Sequence, residues 1–140
     1  MAVHAGAFIR ARELVLDRDL LGRPAELARI LIHEIFHFTW VRLSNDTRRS
    51  FEALLAQEIR RGVQGELGWS AEWRKQRLRR SDAHGRTRRW REYVCESFCD
   101  TAAWRFAGVT DHEEFTLGAP ARAKRRGWLR HAGLESSIPV

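Results

Sequence analysis

A-E-L-A-R-I-L-I-H-E-I-F-H-F-T-W-V-R-L, residues 25–43, is the stretch on which the reading of this chain turns. Leu27, Ile30, Leu31, Phe38 and Val41 recur at helical spacing and make one apolar face. Ile32, Ile35, Phe36, Thr39 and Leu43 cover much of the remaining circumference. A helix that is apolar nearly all round belongs in the centre of a fold, so the pattern predicts a buried central helix. Pro24 suits its first position, where the missing N–H costs nothing. Ser44-Asn45-Asp46-Thr47 supplies turn chemistry at its end.

Inside that helix stands His33-Glu34-Ile35-Phe36-His37, the pattern H-E-x-x-H. Histidines four apart lie on one helical face, one turn from each other. Two imidazoles so placed can reach one tetrahedral zinc ion. Glu34 lies beside the metal position, where a carboxylate can take a proton from a water that the ion has acidified. Two histidines and a glutamate are costly to bury in the most apolar helix of a chain unless something pairs them.

Outward from this helix the punctuation is clear. Residues 7–17, with the β-rich Leu14-Val15-Leu16, read as one or two short strands, and 17–22 as a turn. Ser50 to Arg61 reads as a second helix capped by Ser50. A third, capped by Ser70, runs to about Arg80. Ser81 to Gly85 reads as a loop. A fourth, long helix runs from Arg88 to Ala107 and stops at Gly108. Asp111 is placed to cap a short helical turn over His112–Phe115. From Thr116 the chain is Arg-rich and holds Pro120 and Pro139, so about 116–140 reads as a loose tail on a single domain spanning 1–140.

A zinc site needs a third protein ligand. The long helix offers Glu92, Glu96 and Asp100 at i, i+4 and i+8. Glu96-Ser97-Phe98-Cys99-Asp100 spells E-x-x-x-D, and with the H-E-x-x-H it resembles the gluzincins, the thermolysin-like branch of zinc peptidases. The chain is also similar to the small ImmA/IrrE-type metallopeptidases. The resemblance implies that Glu96 is the third metal ligand. It implies too that Asp100 hydrogen-bonds a ligand imidazole, that of His33. An outer carboxylate of this kind fixes the tautomer and strengthens the ligand. The separation of His37 and Glu96, 96 − 37 = 59 positions, is longer than usual in that family. It leaves Glu92, His84, His112 and Glu113 as alternative third ligands.

Other residues read more plainly. Tyr93, the only tyrosine, reads as a half-buried aromatic with a wet hydroxyl rather than an oxyanion donor. Cys95 and Cys99 read as small core residues that turn away from the Glu96 stripe. Two cysteines in 140 residues do not make a secreted disulfide scaffold. No secretory leader and no run of roughly 20 apolar residues stands out, so the expectation is a cytoplasmic protein with no membrane partner.

The net charge is +7, and 23 of the 25 basic residues are Arg (25 less Lys75 and Lys124). Residues 74–91 hold nine of them, Arg74, Lys75, Arg77, Arg79, Arg80, Arg86, Arg88, Arg89 and Arg91, against one Asp82. Trp69, Trp73 and Trp90 flank or interrupt the run. Such a segment can grip nucleic acid, or it can be a solvated face with its Trp residues turned inward.

The expected fold is α+β and mostly helical, a zincin-like domain with a small N-terminal β element and the H-E-x-x-H helix packed on the carboxylate helix. The expected function is zinc-dependent hydrolysis of a peptide or protein substrate. Its residues are His33, His37 and Glu96 at Zn2+, Glu34 as base and Asp100 behind a ligand. The alternative is a basic nucleic-acid-binding or adaptor protein with a structural or vestigial metal site.

Overall fold

The computed structural model describes residues 5–8, 13–16 and 18–135. Two strands, β1 (Ala5–Phe8) and β2 (Glu13–Leu16), pair antiparallel with Ala5 opposite Leu16 and Phe8 opposite Glu13. They lie beside the first helix. Residues 9–12 and 17, which the sequence reading includes in this element, and the segment 136–140 with Pro139, fall outside the described residues. A 3-10 turn over Arg18–Gly22 leads into six helices: α1 (Pro24–Arg42), α2 (Asn45–Arg60), α3 (Trp69–Gln76), the single turn α4 (Asp82–Gly85), α5 (Arg88–Phe106) and α6 (Ala119–His131). The fold of the described residues is thus mostly helical, and none of their helices is long and apolar enough to cross a membrane.

Helix α5 is the centre. It packs along α1 and α3 and touches α2 and α4. Its buried residues include Trp90, Tyr93, Val94, Phe98, Cys99, Ala102 and Ala103. Around Phe98 gather Phe36, Trp40, Phe51 and Trp128, with ring centroids 4.8–5.9 Å away. Aromatic pairs at this range add directional attraction to the area they bury. A second, smaller core joins Leu67, Phe115, Leu117 and Ala121.

Several local expectations are revised. Helix α1 is not buried all round: α5 packs along it, but Ile35 and Val41 are 41% and 51% exposed. Helix α2 starts earlier than expected. Ser44, not Ser50, caps it, accepting the Thr47 N–H at 3.1 Å, so the Ser-Asn-Asp-Thr turn opens the second helix as well as closing the first. Residues 82–85, expected within a loop, form the turn α4, held by Asp82, which accepts the backbone N–H of Arg79 and the hydroxyl of Thr87. Residues 112–115 form a hydrogen-bonded turn without becoming helical.

The largest revision concerns the Arg-rich segment from 116 onward. Ala119–His131 is a helix, with Pro120 in its first turn as a starter rather than a breaker. Ala121, Arg125 and Leu129, at i, i+4 and i+8, are its buried stripe. Arg125 is completely buried. Its guanidinium grips Glu58 at 2.7 and 3.0 Å and Glu66 at 2.9 Å through both nitrogens, and also reaches Ser97 and Thr101. Such bidentate pairs are the strong form of the ion pair, and here they knit α2, α5 and α6 to the loop before α3. The Tyr93 hydroxyl donates to Glu66 in this network, so the tyrosine is wholly buried and dry, not half-wet.

Candidate metal centre

His33 and His37 both project from α1 toward α5, and Glu96 of α5 lies between them. The Glu96 carboxylate stands 3.6 Å from Nε2 of His33 and 3.0 Å from Nε2 of His37. The other ring nitrogen of each histidine is held from behind. Nδ1 of His33 is 2.7 Å from Oδ1 of Asp100, and Nδ1 of His37 is 3.6 Å from Sγ of Cys95. Both Nε2 atoms are therefore the free ends that converge on one carboxylate. His33, His37, Glu96 and Cys99 form a group that could hold a metal ion, each offering a ligand atom within 4.8 Å of the others.

The electrostatics of the metal-free site fit a cation. Burial alone would lower the pKa of His33, but Asp100 and Glu96 outweigh it and hold it well above the ordinary value. Burial likewise opposes protonation of His37, and contacts with Cys95 and Glu96 push it up to about 10. Burial would raise the Glu96 pKa, yet the two imidazoles hold it far below the usual carboxylate range. A buried carboxylate between two imidazoles favours positive charge at this place, and a metal ion bound there would compete with protons for the imidazoles. Burial pushes the Glu34 carboxyl up, and its charged neighbours are His33, His37, Glu96 and Asp100.

Helix α3 completes the wall. The Ser70 hydroxyl donates to Oε1 of Glu96 at 2.7 Å, and Arg74, 3.7 Å from the same oxygen, bonds the Ser70 hydroxyl at 3.0 Å. Ser70 is therefore not the cap of α3. Gly68 occupies that position without a side chain, and the orphan N–H groups are satisfied from afar. Ala71 N–H donates to Oδ2 of Asp100 at 2.9 Å and Trp69 N–H to Glu114 at 2.7 Å. Gly68 has no room for a side chain, since a Cβ there would lie 2.3 Å from the Asp100 carboxyl carbon.

The structure brings His33, His37, Glu96, Asp100 and Glu34 into one neighbourhood. The alternative third ligands lie elsewhere. Glu92 is exposed and paired with Arg88, His84 and Glu113 are exposed, and His112 bonds Glu26. Two expectations about the cysteines change. Cys95, one residue before Glu96, does turn about 100° aside, yet it meets His37. Cys99 comes three residues after Glu96, which is 300° of rotation and brings it back to the same side. The spacing already carried that signal. Ser70 and Arg74 carried none, because α3 is placed by distant carboxylates.

Part of the basic segment is paired within the fold, while Arg79, Arg80, Arg89 and Arg91 are exposed. Lys75 donates to the carbonyls of Val63 and Gly65, Arg86 pairs with Glu52, Arg88 with Glu92, and Arg77 stacks 3.7 Å over Trp73. Trp90 is buried, whereas Trp69 and Trp73 are 38% and 45% exposed. Comparison with family models, with curated proteins and with solved structures returned no match to this chain.

Proposed function

We propose that this protein is a zinc-dependent peptidase of gluzincin type, with His33, His37 and Glu96 holding the ion and Glu34 acting as base. The observation that carries the reading is the convergence of two Nε2 atoms on Glu96 while Asp100 and Cys95 hold the opposite ring nitrogens. The donor set, two imidazoles and a carboxylate, suits zinc. When bound, zinc supplies a Lewis acid for a substrate carbonyl and a nucleophilic water near neutral pH. The chain supplies the proton traffic. A Glu34 carboxylate oxygen takes a proton from the attacking water and returns it to the leaving amine. Burial raises the pKa of Glu34, which strengthens its carboxylate as the base for the first of these steps. Asp100 fixes the His33 ring, and Ser70 holds Oε1 of Glu96.

The test is Glu34→Gln, assayed for metal content and for cleavage of a peptide library. Both forms are expected to carry one zinc per chain, with cleavage reduced roughly 10²–10⁴-fold in the variant. A variant that cleaves like the parent, or a parent that carries no zinc, overturns the reading.

A further inference from the structure

We propose that Cys99 is a fourth protein ligand of this ion, so that the resting site is closed by a thiolate. The inference rests on the metal reading above and says what fills the remaining position. Cys99 is completely buried, at the face of α5 that looks onto α1. Its sulfur lies within 4.8 Å of ligand atoms from His33, His37 and Glu96, with every pair among the four inside that limit. A tetrahedral ion with bonds of about 2.0–2.3 Å needs ligand atoms gathered on this scale. Cys95 is a different case, because its sulfur faces Nδ1 of His37, the nitrogen turned away from the ion.

Coordination converts the Cys99 thiol to a thiolate and releases its proton to solvent. A set of two imidazoles, one carboxylate and one thiolate is complete, as in structural sites, and favours thiophilic ions over magnesium or manganese. Hydrolysis at such a site requires the thiolate to give way to water, or coordination to expand to five.

Cobalt(II) titration of the metal-free full chain decides the matter. The parent is expected to develop visible d–d bands together with a near-ultraviolet sulfur-to-cobalt charge-transfer band, both saturating at one equivalent. Cys99→Ser and Cys99→Ala are expected to keep the visible bands and lose the charge-transfer band, while Cys95→Ser keeps both. Visible bands without a charge-transfer band in the parent overturn the thiolate and leave the metal reading standing. So does a charge-transfer band that survives loss of Cys99. Absence of all bands in the parent overturns both readings. Should the Cys99 variants not fold, the parent and Cys95→Ser spectra still decide: sulfur ligation that survives without Cys95 belongs to Cys99, the only other cysteine.

Discussion

Asp100 stands 2.7 Å from Nδ1 of His33 through one carboxylate oxygen, and its other oxygen accepts the N–H of Ala71 at 2.9 Å. One buried side chain thus orients a metal-facing ring and anchors the start of α3. Replacing Asp100 by Asn keeps the size and removes the charge. Zinc affinity, measured by competition with a chromogenic chelator, is expected to fall about 10–100-fold, the usual effect of losing an outer partner. Unchanged affinity would remove Asp100 from any role behind the ligand.

Gly68→Ala reaches the same carboxylate from the other side. The added Cβ meets the Asp100 carboxyl carbon at 2.3 Å, so α3 or Asp100 must move. The backbone of Gly68 is extended (φ 177°), so the conflict is one of space alone. The expected cost is about 1–3 kcal/mol in urea unfolding, accompanied by weaker zinc binding. A loss of stability with zinc affinity intact would separate the packing of α3 from the site.

Arg125→Met strips the cation from Glu58 and Glu66, both of which stay buried. Breaking a buried pair by removing one partner costs about 3–5 kcal/mol, because a charge is left uncompensated. Arg130→Met is the comparison. Its guanidine is 72% exposed and 3.8 Å from Glu135, and its loss should move the unfolding midpoint little. Equal effects from the two would show that the Arg125 network does not hold the helices together.

The same network sets an acid dependence. Burial raises the Glu66 pKa, but Arg125 and Lys75 outweigh it and hold it below its ordinary 4.5. A carboxylate depressed in the folded state stabilises in full above its unfolded pKa. That contribution is lost as pH falls through the folded one. Parental stability arising from Glu66 should therefore hold from pH 7 down to about 4.5 and decline below it. In Arg125→Met the sign reverses, since Glu66 would be buried without its main cation and favour the neutral form. The gap in urea midpoint between the two proteins is expected to narrow as pH falls. A gap that widens on acidification would contradict this account.

What was legible in the sequence follows from helical periodicity. Spacings of four placed His33 with His37 and Glu96 with Asp100, and the apolar stripes placed α1 against α5. Less legible were contacts made across long separations. Nothing near Gly68 announces that Asp100 and Glu114 will satisfy the first N–H groups of α3, so Ser70 looked like its cap. Nor does composition distinguish one buried Arg among many. Arg125 differs from Arg126 only in falling on the Ala121–Leu129 stripe, a signal that the surrounding charge and Pro120 obscured. Cys99 was legible in principle, because three positions past Glu96 bring it back to the side of the ligand, whereas Cys95, one position before, turns aside.

The placement of Arg125 has a consequence for how this protein can be shortened. A stop codon or a proteolytic cut between the end of α5 and residue 125 would not trim a tail. It would leave two carboxylates facing each other in a dry interior and uncover Phe51 and Phe98, against which Trp128 packs. Such a fragment presents the apolar surface that quality-control proteases and chaperones engage, even though every residue of the metal cluster is still in it.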